Sequence, residues 1–324
     1  MSNFLDPAIL FFLIGIFAGL VRSNLEIPPQ IARFLALYLL MALGLKGGFA
    51  LAKTGFTLEV MEGLLAALFL ATLIPWVGYH LLKRRVSSFD AAAIAATYGS
   101  VSAVTFITTV QYLDTHGIAY SGHMAAAMAL MESPAIILAV LFANAARREL
   151  ATSPPSTSHS ITHVLHESFT DGAQLLLLGA MLVGYVSGET GKAMMAPFSI
   201  DLFKGMLAFF LLDMGLLTAK NIGHLKGTSP FLMAYGVLGP MLHAAMAFVL
   251  ASLLGLSQGD AALLMVLAAS ASYIAVPAVV RYAIPEAKAS LYFGLSLGVT
   301  FPLNIIFGIP IYVDLANHVW RLGA

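Results

Sequence analysis

AASASYIAVPAVV, residues 268–280, lies inside an apolar run that begins near Ala261 and breaks the rules of the helix it interrupts. Two serines, a tyrosine and a proline fall where the middle of a bilayer would be. Pro277 lacks a backbone donor and its ring clashes with the carbonyl four residues back, so a helix is expected to open just before it. Backbone groups freed at that depth need partners. Membrane proteins place such irregular chain only where protein buries it or a cavity receives it, which makes the stretch a candidate binding site.

The surrounding composition agrees with that setting. The chain has 324 residues, 60% hydrophobic and 10% charged, with a mean hydropathy of +0.90. A soluble core of this length saturates well before so much apolar surface is used, so the fold class is an all-α polytopic membrane protein. A formal net charge of zero argues against nucleic-acid binding by bulk charge. The absence of cysteine excludes disulfides, thiol catalysis and cysteine-held metals. Asp6 stands where a signal peptide would be basic, so the first apolar run is expected to be retained as a span.

At roughly 20 apolar residues per crossing, ten spans are expected, over 5–22, 30–52, 59–82, 89–112, 121–147, 167–188, 198–220, 229–255, 259–283 and 287–318. The one long connection, 149–166, is rich in Ser, Thr, Pro and His without helix period and reads as a linker between residues 1–148 and 167–324. With the N-terminus outside, the inner loops hold Arg22, Arg33, Lys83, Arg84, Arg85, Arg147, Arg148, Lys220, Lys226, Arg281 and Lys288. The outer segments hold Lys53, Lys192 and Arg321. That bias places both termini outside and the linker in the cytoplasm.

The two halves resemble each other. A shift of 170 residues aligns Asp90 with Asp260, Ser100 with Ser270 and Ser102 with Ser272, laying YGSVSAV over AASASYI. MALGLKGG from Met41 echoes LDMGLLTA from Leu212, and Pro134 in MESPAII echoes Pro302 in VTFPLNII after a two-residue slip. Five spans per half is an odd number, so the second half would enter inverted: a 5+5 inverted repeat with broken, crossing spans four and nine. Small residues at Gly15 and Gly19, Gly44 and Gly48, and Gly184 and Gly188 have close-packing spacing. They suggest a scaffold of spans one, two, six and seven, with a core of spans three to five and eight to ten.

The broken spans carry the chemistry. Half-helix N-termini aimed at one point present unpaired N–H groups and positive dipole ends to an anion, and serine hydroxyls add donors without bulk. The candidate anion-binding residues are Gly99, Ser100, Val101 and Ser102 on one side and Ser270, Ala271, Ser272 and Tyr273 on the other. Carbonyl and hydroxyl oxygens suit sodium, so the candidate cation ligands are Glu132, Ser102, Thr105, Ser272, Thr300 and Asn304. Lys46 and Asp213, about a turn apart when the repeats are overlaid, are expected to form a structural ion pair. His243 reads as a packed histidine, and Arg281 as a helix-end residue that snorkels. An enzyme reading fails: His166-Glu167 lacks the second histidine of HExxH, and the serines have no nearby histidine base.

GLKGG at 44–48, YGSVSAVTF at 98–106, MESPAI at 131–136 and ASASYIAVPAVVR at 269–281 resemble the sodium-dependent bicarbonate transporter superfamily, the SbtA-like permeases, in a non-cyanobacterial form. The resemblance spans nearly the whole chain. It implies ten helices in a 5+5 inverted repeat, a mobile core, a trimer in the bacterial inner membrane, and sodium-coupled bicarbonate uptake at the crossing of spans four and nine. It also implies that a PII-like regulator docks on the cytoplasmic face. The cyanobacterial pattern has aspartates where this chain has Tyr273 and Glu132.

The expected function is secondary active transport of a small anion, most concretely bicarbonate driven by sodium, with no cofactor beyond that coupling ion. The alternatives are a sodium- or proton-coupled carrier of a small organic carboxylate and, in another class, a passive anion channel or an anion-binding sensor.

Overall fold

A computed structural model describes residues 6–150, 172–225 and 227–322, and among them every regular element is helical. The helices are α1 Pro7–Leu20, α2 Pro29–Thr54, α3 Leu58–Leu82, α4 Ser88–Gly99, α5 Ala103–His116, α6 His123–Leu130 and α7 Glu132–Leu150 in the first half. The second half has α8 Gly172–Ala196, α9 Phe203–Ile222, α10 Pro230–Leu254, α11 Gln258–Ala269, α12 Ala275–Ala283, α13 Ala289–Leu295, α14 Phe301–Leu303 and α15 Ile309–Leu322. Among the described residues, seven helical stretches are long and apolar enough to cross a membrane, while α1 and α11 are shorter apolar helices. The protein is a multi-pass membrane protein. The expected linker, 149–166, falls outside the described residues apart from its first two positions.

Local sequence sets the boundaries. The Asp6 side chain accepts the Ala8 N–H and Pro7 occupies the first helical position of α1. Ser87 caps α4 and Ser257 caps α11, each through the N–H of an aspartate three residues on, Asp90 and Asp260. Gly117 and Gly255 close α5 and α10 at φ 66° for both, a left-handed turn that suits glycine. Gly188, at φ 55° and ψ −144°, bends α8 where the sixth span was expected to end.

Packing repeats itself between the halves. α2 lies along α8 and α1 along α9; α3 packs on α4 as α10 packs on α11, and α4 meets α7 as α11 meets α15. The first two contacts are close because glycines face backbone: Gly44 meets Leu177 O and Ala180, Gly48 meets Met181 and Gly184, and Gly15 meets Leu212 O and Gly215. α4 and α11, rich in alanine, are buried on every side. A helix that is apolar and small all round belongs at the centre of a bundle. Large apolar side chains such as Phe17, Leu182, Val186 and Leu253 face outward, as a lipid environment requires.

The break in the opening stretch is displaced from where Pro277 suggests. The chain leaves the helix at Ser270 and re-enters at Ala275, so Pro277 is the third residue of α12. In a first turn the missing N–H has no intrahelical acceptor to lose, which is why proline is tolerated there. The matching break in the first half spans Ser100–Ser102.

Candidate functional site

The two breaks are tied to each other. The Ser102 N–H donates to Ser270 Oγ at 2.9 Å, and the Ser272 N–H donates to Thr97 O at 2.8 Å. A serine hydroxyl takes up an N–H at the start of each second half-helix: Ser102, the N-cap of α5, accepts the Thr105 N–H at 3.2 Å, and Ser272, two residues before the N-cap Ile274 of α12, accepts the Val276 N–H at 3.3 Å. The anchoring repeats farther out. Asp90 Oδ1 accepts the Lys288 N–H at 2.8 Å, and Asp260 Oδ1 accepts the Ser121 N–H at 2.7 Å, so each aspartate grips a loop of the opposite half. These bonds fix the register in which α5 and α12 point toward one another.

Between them lies a cavity of about 160 Å³, lined by Val101, Ser102 and Ala103 on one side and Ser272, Tyr273, Ile274 and Ala275 on the other. The N–H groups of Ala103, Tyr273, Ile274 and Ala275 have no acceptor among the described residues. Two helix N-termini with unpaired donors therefore open on one small space. Each terminus carries a partial positive charge of about half an elementary charge. Glu132, at the start of α7, forms the far wall and accepts a hydrogen bond from Gln174 of α8. Pro134, two residues on, cannot donate to the carbonyl of Leu130.

Tyr273 separates this space from a second, larger one. Tyr273 and Ile274 also line a cavity of about 740 Å³ whose walls include Arg33, Asp213, Asn221, Arg281 and Ser290. The Tyr273 ring stands edge-on to Phe301, centroids 5.2 Å apart, and its hydroxyl is buried without a partner within hydrogen-bond geometry.

The candidate residues divide accordingly. Val101, Ser102, Ser272 and Tyr273 line the small cavity with Glu132. Gly99 packs its α-carbon against the Pro75 ring, Ser270 is spent on Ser102 and Leu267, and Ser100 Oγ is buried and unpartnered behind the crossing. Ala271 is buried beside α4 and α13 residues, away from the cavity wall.

Of the six candidate cation ligands, Glu132, Ser102 and Ser272 line the small cavity, and Thr105, Thr300 and Asn304 do not. Thr105 bonds the Ser102 hydroxyl at 2.9 Å. Thr300 donates to Gly236 O at 2.8 Å and meets the Tyr98 hydroxyl at 2.7 Å, while Asn304 holds Ala269 O at 2.8 Å and Tyr312. Thr300 and Asn304 thus use their polar atoms to brace α10 and α11.

The Lys46–Asp213 pair is corrected. Lys46 Nζ lies 3.1 Å from Asp114 Oδ2 and 4.1 Å from the Phe203 ring centre, whereas Asp213 makes no ion pair among the described residues. Repeat-equivalent positions share a role by symmetry without being neighbours. Gln174 escaped sequence reasoning because a lone glutamine beside a polar linker carries no signal.

A family description, the Na+-dependent bicarbonate transporter superfamily, matches residues 7–317. The chain belongs to this superfamily. No curated protein matches it. The chain carries serines at both breaks, a carboxylate, Glu132, two residues before Pro134, and Tyr273 in the second break.

Proposed function

We propose that the protein is a secondary active symporter that carries a small anion, most concretely bicarbonate, into the cell with sodium. The observation that carries this reading is the convergence of two half-helix N-termini, with unpaired N–H groups, on a cavity of about 160 Å³. That volume suits a small planar anion with a few waters. The donors of Ala103, Tyr273, Ile274 and Ala275 would receive its oxygens, and the Ser102 and Ser272 hydroxyls would orient it. Sodium, the second cargo, would be held near Glu132, whose negative charge would otherwise oppose the anion.

The repeated packing partners and the paired aspartate anchors support a ten-span, 5+5 inverted repeat; the Lys and Arg bias of the loops supports both termini outside, and membership of the superfamily suggests the bacterial inner membrane. In this reading α1, α2, α8 and α9 are the scaffold, and the remaining helices move as the core. Trimer formation and cytoplasmic docking of a PII-like regulator are what membership of the superfamily suggests for the assembly.

Uptake of isotope-labelled bicarbonate into proteoliposomes with and without an inward sodium gradient tests the function. Accumulation against a bicarbonate gradient only when sodium is present is the expected result. Uptake indifferent to sodium refutes the coupling, and flux that never exceeds equilibration makes the protein a channel. The second reading, a carrier of a small organic carboxylate, is favoured by Tyr273, which brings a hydroxyl and no charge to the second break. Inhibition of bicarbonate uptake by formate, acetate or lactate, followed by direct uptake of the best inhibitor, separates the two.

A further inference from the structure

The two faces of the crossing are built differently, and the difference falls on charged residues that the anion cavity does not use. One face is sealed. Lys46 of α2 reaches Asp114 near the end of α5 at 3.1 Å, and the Tyr120 hydroxyl donates to the other Asp114 oxygen at 3.1 Å. Burial and the neighbouring Asp114 charge push the Tyr120 phenol well above its ordinary value, so it remains a donor. The void beneath this clasp is only about 10 Å³.

The opposite face is open. There the cavity of about 740 Å³ lies between α9, which carries Asp213, and α12, which carries Arg281. Asp213 is only 8% exposed, yet it makes no hydrogen bond or ion pair among the described residues. Arg281, in the last turn of α12, faces the same cavity and is likewise unpaired among the described residues. A buried carboxylate without a bonded partner is costly; the cations around Asp213 are Lys220, farther along α9, whose charge acts on it, and Arg33 and Arg281, which line the same cavity.

The repeat connects the two faces. Under the 170-residue shift α2 corresponds to α9 and α5 to α12, and Asp213 and Arg281 fall about one turn from the equivalents of Lys46 and Asp114. The polarity is exchanged: cation on α2 and anion on α5 at the closed face, anion on α9 and cation on α12 at the open one. In an inverted repeat, the reverse state of the cycle gives each half the conformation its partner half now has. The contact made by α2 and α5 in this state is then made by α9 and α12 in the other.

We propose that Asp213 and Arg281 form the inner gate, an ion pair that closes when the Lys46–Asp114 pair opens, so that the two pairs alternate through the transport cycle. This rests on the reading of the chain as a moving-core transporter and is independent of which anion it carries. By holding each end state, the pairs set how the protein divides its time between inward-open and outward-open forms.

The chain has no native cysteine, so a single introduced thiol reports the gate. Leu217→Cys lines the open cavity one turn from Asp213. Its labelling by a membrane-impermeant maleimide is measured from the cytoplasmic face of inside-out vesicles. Asp213→Asn and Arg281→Gln are each expected to raise the labelling rate roughly fivefold, a typical coupling for a two-state change. Asp114→Asn is expected to lower it. The charge exchange Asp213→Arg with Arg281→Asp should return labelling to the parent rate, and Asp213→Glu should preserve it.

Equal labelling in all variants overturns the proposal, as does rescue of Asp213→Arg by Arg33→Asp rather than by Arg281→Asp. The near-isosteric Asn and Gln variants keep the test decisive if the charge reversals fail to assemble. Loss of bicarbonate uptake in the parent with this labelling pattern intact rejects the substrate reading and leaves the gate standing. The converse rejects the gate alone.

Discussion

Ser100 and Ser270 occupy equivalent places in the two breaks, yet alanine at each is expected to do opposite things to the fold. Ser270 Oγ accepts the Ser102 N–H at 2.9 Å and donates to Leu267 O at 2.9 Å, in a position 1% exposed. Ser270→Ala leaves the Ser102 N–H buried without an acceptor, at a cost of about 1–3 kcal/mol. Ser100 is equally buried, but its hydroxyl has no partner. Ser100→Ala removes an unsatisfied donor, so the fold should be unchanged or slightly more stable. At roughly 2–4 °C per kcal/mol for a chain of a few hundred residues, the two variants should differ in melting temperature by several degrees. Trp76, beside the Pro75 ring that packs on Gly99, reports unfolding of this region by fluorescence in detergent. If the Ser100 hydroxyl turns to the anion once it is bound, Ser100→Ala also raises the half-saturating bicarbonate concentration without lowering the melting temperature. Equal destabilisation by both substitutions would refute the account of the crossing given above.

Four further outcomes follow from the geometry. The double substitution Ser102→Ala with Ser272→Ala removes both hydroxyls from the cavity wall and is expected to abolish uptake while the oligomer survives size-exclusion chromatography; wild-type uptake rejects the crossing as the site. Glu132→Gln keeps a partner for Gln174 but removes the charge, so apparent sodium affinity should fall tenfold or more by about 1.4 kcal/mol or more of lost attraction; unchanged sodium dependence removes Glu132 from the cation site. A β-carbon at Gly48 would sit 2.9 Å from Gly184 Cα, so Gly48→Ala must push α2 and α8 apart, with an expected loss of about 1–3 kcal/mol in thermal stability. The two dipole ends supply about one positive charge for the anion and sodium offsets Glu132, so uptake should be indifferent to an imposed potassium diffusion potential; strong voltage dependence contradicts this charge count.

Much of the helical layout was legible because the apolar runs are long and their ends carry capping chemistry. Ser87 and Ser257 fall three residues before Asp90 and Asp260, and the helices start there. Where the repeat was strict, at Ser102 and Ser272, the two serines line one cavity and their hydroxyls accept N–H groups at the start of the two inner half-helices. The exact place of the second break was not, because a proline marks either an interruption or a first turn, and Pro277 proved to be the latter. Repeat alignment also suggested Thr300 as the counterpart of Glu132. It could not foresee that the Tyr98 hydroxyl and Gly236 O engage the Thr300 side chain.

The near-symmetric sequence builds a matched framework and an unmatched chemistry. In both breaks a serine hydroxyl accepts an N–H of the following half-helix and an aspartate anchors the half-helix before it, so a two-part anion site can form on the line where the halves meet. The groups around it differ by half: Glu132 against a hydrogen-bonded Thr300, and Tyr273 against Ala103, one residue beyond Ser272 and Ser102. A symmetric pair of carboxylates would repel a bound anion from both sides, while one carboxylate leaves the opposite wall positive. Tyr273 contributes a phenol there, between the small cavity and the large one. The side chain at position 273 would therefore act on two properties together, the hydroxyl offered to a bound anion and the width of the passage between the two cavities. Tyr273→Phe alters the first alone, and Tyr273→Ala alters both, so comparing their selectivity among small anions separates recognition from access.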